Sequence, residues 1–139
     1  MSGIEAKISE SVIRWCRKYS VLFRTIFEDE ELRNFFRGYS AYSRPKGHLG
    51  LHKILDDCFH EAYDSGVVIP DYLEVIEDGK LSRTACSKPT KEWVATLTKK
   101  QILGVIAFHF RNDHFSEGSW ISKSVAEGYM MVLVDGLME

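Results

Sequence analysis

Two groups of side chains in this 139-residue chain have types and spacing suited to chemistry. The first is Arg111, Asp113, His114 and Glu117: a guanidinium, an imidazole and two carboxylates within seven residues. Such a set can hold an anion or a divalent metal. Imidazole titrates near neutral pH, so His114 is also a candidate acid or base. Phe115 and Trp120 add aromatic surface, and Arg111, Asp113, His114, Phe115, Glu117 and Trp120 together form the candidate binding site. The structural alternative is that Asp113 and Glu117 cap the orphan N–H groups of a following helix. Arg111 then pairs with one of them, and Gly118 supplies a turn.

The second group is His52, Asp56 and His60, whose spacing of four places them along one edge of a helix, within ligand reach of each other. Joined by a residue of the Asp113–Glu117 loop, they would make a divalent-metal site, and a metal-binding or metal-assisted hydrolytic domain is the alternative reading of the chain. The plainer reading is that they flank an apolar stripe. No H-E-x-x-H pattern supports the metal, and no cofactor is otherwise expected. No catalytic residue stands out. There is no G-x-S-x-G elbow and no phosphate loop, and Cys16 and Cys58 sit on apolar stripes.

The elements that must position these groups are helical. Thr98 and Gln101 have the spacing of a capping box, with Leu97 and Ile102 placed as a hydrophobic staple. The run that follows, through Phe110, is apolar nearly all round, which predicts a buried central helix over 98–111 that stops near Asn112-Asp113. A shorter helix then leads to Gly128. Ser2 and Glu5 predict a helix that begins almost at once, with a stripe from Ile4 to Phe27 and a break near Glu28, where the acids favour the start of the next helix. Residues 39–50 read as a loop. Leu51 to Tyr63 form a stripe ended by Ser65-Gly66, and Pro70 opens a short helix ended by Gly79. Residues 80–97 read as a long connection with a short strand pair, and Tyr129 to Leu137 as a C-terminal helix. The expectation is an all-α fold, a single compact domain over 1–139 with about six helices.

In this order of elements the chain resembles a bacterial domain family of unknown function. The likeness rests on Ala62 to Gly66 followed by Asp71-Tyr72, on Gly128 with its short apolar helix, and on the run Arg111 to Gly118, similar to an Arg-x-Asp-x-Phe-x-Glu-Gly pattern. It covers roughly the C-terminal two thirds. His114 stands where that pattern more often has an arginine. The resemblance implies a fold and a cluster of residues, and no activity.

Composition bounds the function. With 45% hydrophobic and 12% aromatic residues the chain is globular, and a net charge of −2 argues against a general nucleic-acid or acidic-membrane binder. Lys123 alone, beside Glu117 and Glu127, makes a poor recognition helix, so specific DNA reading is not expected. Three scattered cysteines indicate neither a disulfide framework nor a zinc knuckle. No signal-peptide layout and no membrane-length apolar run is present, which points to the cytoplasm. Charge is segregated: Ile54 to Gly79 carry eight acids and no Lys or Arg, whereas Lys80 to Lys100 carry six bases and one acid. The expected function is that of a small soluble interaction protein, bacterial or from a mobile element. It would bind another macromolecule, as an inhibitor or adaptor, through its acidic face. A protein partner is expected, with a homodimer also open.

Overall fold

Side-chain caps set most of the helix boundaries. The computed structural model describes residues 8–38, 49–115 and 119–139, and all the regular structure among them is helical. Helix α1 (Glu10–Glu28) starts where Ser9 accepts the Val12 N–H at 3.4 Å. The earlier start expected at Ser2–Glu5 lies outside the described residues, and Ile8 and Ser9 are not helical. Asp29 then serves two helices. Its extended backbone ends α1, and its carboxylate accepts the Leu32 N–H at 3.1 Å to open α2 (Glu30–Arg37). The break expected near Glu28 thus falls on the residue whose side chain caps best, with Glu30 and Glu31 at the positive end of the helix dipole.

Helix α3 (Leu49–Ser65) ends as expected at Gly66, in the left-handed region with φ +89°. Residues 39–48 of the expected loop lie outside the described residues, and Leu49 and Gly50 are already helical. Helix α4 (Tyr72–Asp78) ends at Gly79, as expected. Leu81 N–H donates to Ile76 and Lys80 N–H to Glu77, each at 3.0 Å, so the left-handed position of this cap is Lys80 (φ 52°) and not Gly79. Gly79 lies close to the start of α7: a Cβ there would lie 2.6 Å from the Gln101 amide nitrogen.

Between Lys80 and Leu97 the expected strand pair does not form. Two short helices take its place, α5 (Arg83–Ser87) and α6 (Lys91–Val94). The Ser82 hydroxyl accepts the Ala85 N–H and the Thr90 hydroxyl accepts the Trp93 N–H, so each segment begins a helical turn, and Pro89 between them has no N–H for a ladder. Helix α7 (Lys99–Phe115) opens with the expected capping box: Thr98 N–H donates to Gln101 Oε1 at 2.9 Å, and Gln101 N–H to Thr98 Oγ1 at 3.1 Å. It runs past the expected end at Arg111. The Asn112 amide donates back to the Phe108 carbonyl at 2.8 Å, a contact that suits a continuing helix. Residues 104–110 of α7 are all buried. Helices α8 (Ser119–Ala126) and α9 (Tyr129–Met138) complete the described chain, giving nine helices among the described residues where about six were expected.

Helix α7 is contacted by α4, α8 and α9, while α1 packs on α3, α8 and α9, and α2 crosses α8. Trp15, Phe23, Phe59 and Phe110 meet edge to face or tilted, with ring centroids 5.4–6.0 Å apart, and join α1 and α3 to α7. No helix among the described residues is long and apolar enough to cross a membrane.

Gly128 closes α8 at φ +84°, and a Cβ there would meet the Phe27 ring at 2.7 Å. Gly128→Ala is therefore expected to lower stability by roughly 2–3 kcal/mol in urea unfolding, through backbone strain and overpacking together. Lys80→Gly should act in the opposite direction. Relief of its left-handed backbone is expected to raise the urea midpoint, by roughly 0.5–1 kcal/mol of stability.

Candidate functional site

The chain commits one ionisable ring to the interior of a helix whose residues 104–110 are all buried. His109 lies on α7 with no exposed surface, and both ring nitrogens are engaged. Nε2 sits 2.7 Å from the Cys86 carbonyl at the end of α5. Nδ1 sits 2.9 Å from the Trp120 indole nitrogen and 2.7 Å from the Ser124 hydroxyl, both on α8. Donor and acceptor chemistry then fixes the tautomer. A carbonyl only accepts and an indole N–H only donates, so Nε2 carries the proton and Nδ1 is bare. The Ser124 O–H shares the Nδ1 lone pair with the indole. Burial lowers the His109 pKa to about 4, against the smaller upward pull of the Cys86 carbonyl, so the ring is neutral at physiological pH.

A serine hydroxyl aimed at an imidazole has the connectivity of an activated nucleophile. Here the ring is a weak base, its lone pair is shared, and Ser124 is 3% exposed. The arrangement works as a fastener: one side chain joins α5, α7 and α8 and holds the Trp120 ring in place.

Directly outside the fastener is a cleft of about 600 Å³. Trp120 and Ser124 line it, together with Arg37, Ser87, Lys88, Lys123, Glu127 and Tyr129. Arg37 pairs with Glu127 and so ties the end of α2 to α8. A second opening lies on another face. Tyr63, Val68, Ile69, Pro70, Tyr72, Leu73 and Arg111 line a groove of about 410 Å³. His109 and Arg111 are two residues apart on α7, about 200° around a helix, so one ring backs the cleft while the guanidinium lines the groove.

Of the residues expected to act together, the side chains of Arg111, Asp113 and Trp120 are described, and each has its own structural setting. Asp113, 3% exposed, accepts the Ile121 N–H at 2.7 Å from inside α7, which caps the first turn of α8. That is the structural alternative for Asp113. Arg111 is exposed in the groove, and Trp120 belongs to the His109 network. Among the described residues no ion pair joins Arg111 to Asp113; both act electrostatically on Tyr63, whose pKa burial raises. His114 and Phe115 continue the α7 backbone, while their side chains, and Glu117 altogether, lie outside the described residues. So does the side chain of His52. Asp56 is half-buried, and its backbone carbonyl lies 2.9 Å from Nδ1 of the exposed His60. Among the described residues no three His, Cys, Asp or Glu side chains group closely enough to hold a metal.

Sequence reasoning missed His109, Ser124, Arg37, Lys88, Lys123 and Tyr129. The one available signal was an imidazole inside ILGVIAFHF, since a buried polar ring requires partners. No protein-family model matches this chain, no curated protein matches it, and no solved structure matches it.

The fastener makes stability depend on pH. Its folded pKa is depressed, so below the unfolded value of about 6.5 the unfolded chain takes up a proton that the folded chain refuses, until the pH nears 4. Stability is therefore lost as pH falls through that window. Between pH 7 and pH 5 the His109 contribution is roughly 2 kcal/mol. Urea unfolding at both values should show this drop in the wild type and a drop smaller by about that amount in His109→Gln, which cannot titrate.

Proposed function

We propose that the protein is an interaction module that takes a protein partner on the face built by residues 54–79. The observation that carries this reading is the groove beside Arg111. Its apolar lining includes two exposed large side chains, Tyr63 at 41% and Leu73 at 45%, and Ile54 on α3 is exposed at 43%. Exposed apolar surface of this kind, next to polar residues, is typical of protein-binding sites. The surroundings are acidic. Asp64, Glu74, Glu77 and Asp78 are exposed, and no Lys or Arg lies between Ile54 and Gly79. Arg111 lines the groove from α7, and Lys18, Lys53 and Lys100 pair with Glu61, Asp57 and Asp71 of this stretch. The partner that fits is a segment with apolar side chains to fill the groove and Lys or Arg residues to meet the acidic rim.

A photo-crosslinking amino acid placed at Leu73 or Tyr63 should capture a basic, apolar segment of another protein from extracts of the cells that make this chain. The same group at Val21, which is exposed on α1, should not. A peptide of the captured segment should then bind the wild type in a salt-sensitive way and lose at least tenfold in affinity with Leu73→Asp. An acidic segment, or binding indifferent to Leu73→Asp, would contradict the proposal.

A further inference from the structure

The cleft outside the fastener lies on a different face from the groove and has a different chemistry. Three cations reach it from three elements: Arg37 closes α2, Lys88 follows α5, and Lys123 lies within α8. Glu127 is the one carboxylate in its lining, and it is already engaged by Arg37. Three positive charges less one negative leaves two unneutralised in this cleft, on a chain whose net charge is −2. Among the described residues neither Lys88 nor Lys123 has an ion-pair partner. Like charges gathered in one concavity repel each other unless an anion joins them.

Two aromatic rings share the lining. Trp120 is held by its indole N–H to His109, and the Tyr129 ring centroid is 6.4 Å from that of His109. The Trp120 wall is therefore fastened before anything binds, which reduces the ordering that binding would require. A cleft of about 600 Å³ falls in the range of small-molecule sites. Guanidinium and ammonium groups beside aromatic faces match a ligand with a phosphate and a flat ring.

We propose that the cleft formed by Arg37, Lys88, Lys123, Trp120 and Tyr129 binds a nucleoside phosphate. The phosphate meets the three cations and the base lies against the aromatic walls. The bases of Lys80 to Lys100 continue the positive charge beyond the cleft, and it is the bounded volume of about 600 Å³ that suits a small ligand better than a polymer.

Isothermal titration calorimetry with AMP, GMP, CMP and UMP tests the proposal. At least one should bind saturably at submillimolar concentration. The matching nucleoside and inorganic phosphate should each bind at least tenfold more weakly than that nucleotide. Lys88 and Lys123 are exposed, so Lys88→Ala/Lys123→Ala should keep the wild-type melting temperature and weaken nucleotide binding at least tenfold, whereas Lys53→Ala on α3 should not. Several outcomes would overturn the proposal. One is no saturable binding of any of the four nucleotides. Another is equal binding by the double variant, or equal binding of the bare nucleoside. The last is tight binding of a single-stranded oligonucleotide without binding of its mononucleotides. None of these bears on the groove at Leu73, so the two proposals fail separately.

Discussion

The arrangement of the C-terminal half depends on one buried neutral imidazole. His109 sits in a helix whose neighbours in sequence are all apolar, where an unpaired ring would be strongly destabilising. Its two nitrogens instead satisfy a carbonyl at the end of α5 and two donors on α8. Removing the ring would leave the Cys86 carbonyl and the Ser124 hydroxyl buried without it, each at a cost of about 1–3 kcal/mol, and would release the half-buried Trp120 N–H. The short helix α5 buries little besides Cys86, so its attachment to α7 rests heavily on this carbonyl.

From that constraint follows a division of labour around α7. On the His109 side the network fixes Trp120 and Ser124 and so shapes the floor of a cationic cleft. On the Arg111 side the same helix supplies one wall of an apolar groove, whose other wall comes from the end of α3 and the start of α4. Two openings of different lining share this helix as a partition. Asp113, one turn beyond His109, adds a second tie by capping α8 from within α7. The two helices are thereby joined by a side chain at each level.

Features that arise from near neighbours in the chain were legible in the sequence. The Thr98–Gln101 capping box, the break at the acids around Asp29, and the glycine ends at Gly66 and Gly128 each depend on residues within a few positions of one another. The acidic stretch from Ile54 to Gly79 was legible too, but not the groove within it, which needs Arg111 from another helix. The His109 network was not legible, because its partners lie 11, 15 and 23 residues away and only packing brings them together. The same holds for the cleft, whose cations come from three helices. Gly79 ends α4 as its place in the sequence suggests, while the left-handed position falls on the next residue, Lys80, a non-glycine that no local pattern marks. The expected strand pair failed because Ser82 and Thr90 act as helix caps, a use of hydroxyls that competes with extended structure.

The central claim is that His109 is a neutral, Nε2-protonated ring held between α5 and α8. Long-range ¹H–¹⁵N correlation NMR of the imidazole nitrogens across a pH titration tests it most directly. The expected spectrum shows a protonated Nε2 and a bare Nδ1, unchanged through neutral pH and titrating only near pH 4. A ring that is protonated on Nδ1, or that titrates near its ordinary value of about 6.5, would contradict the account.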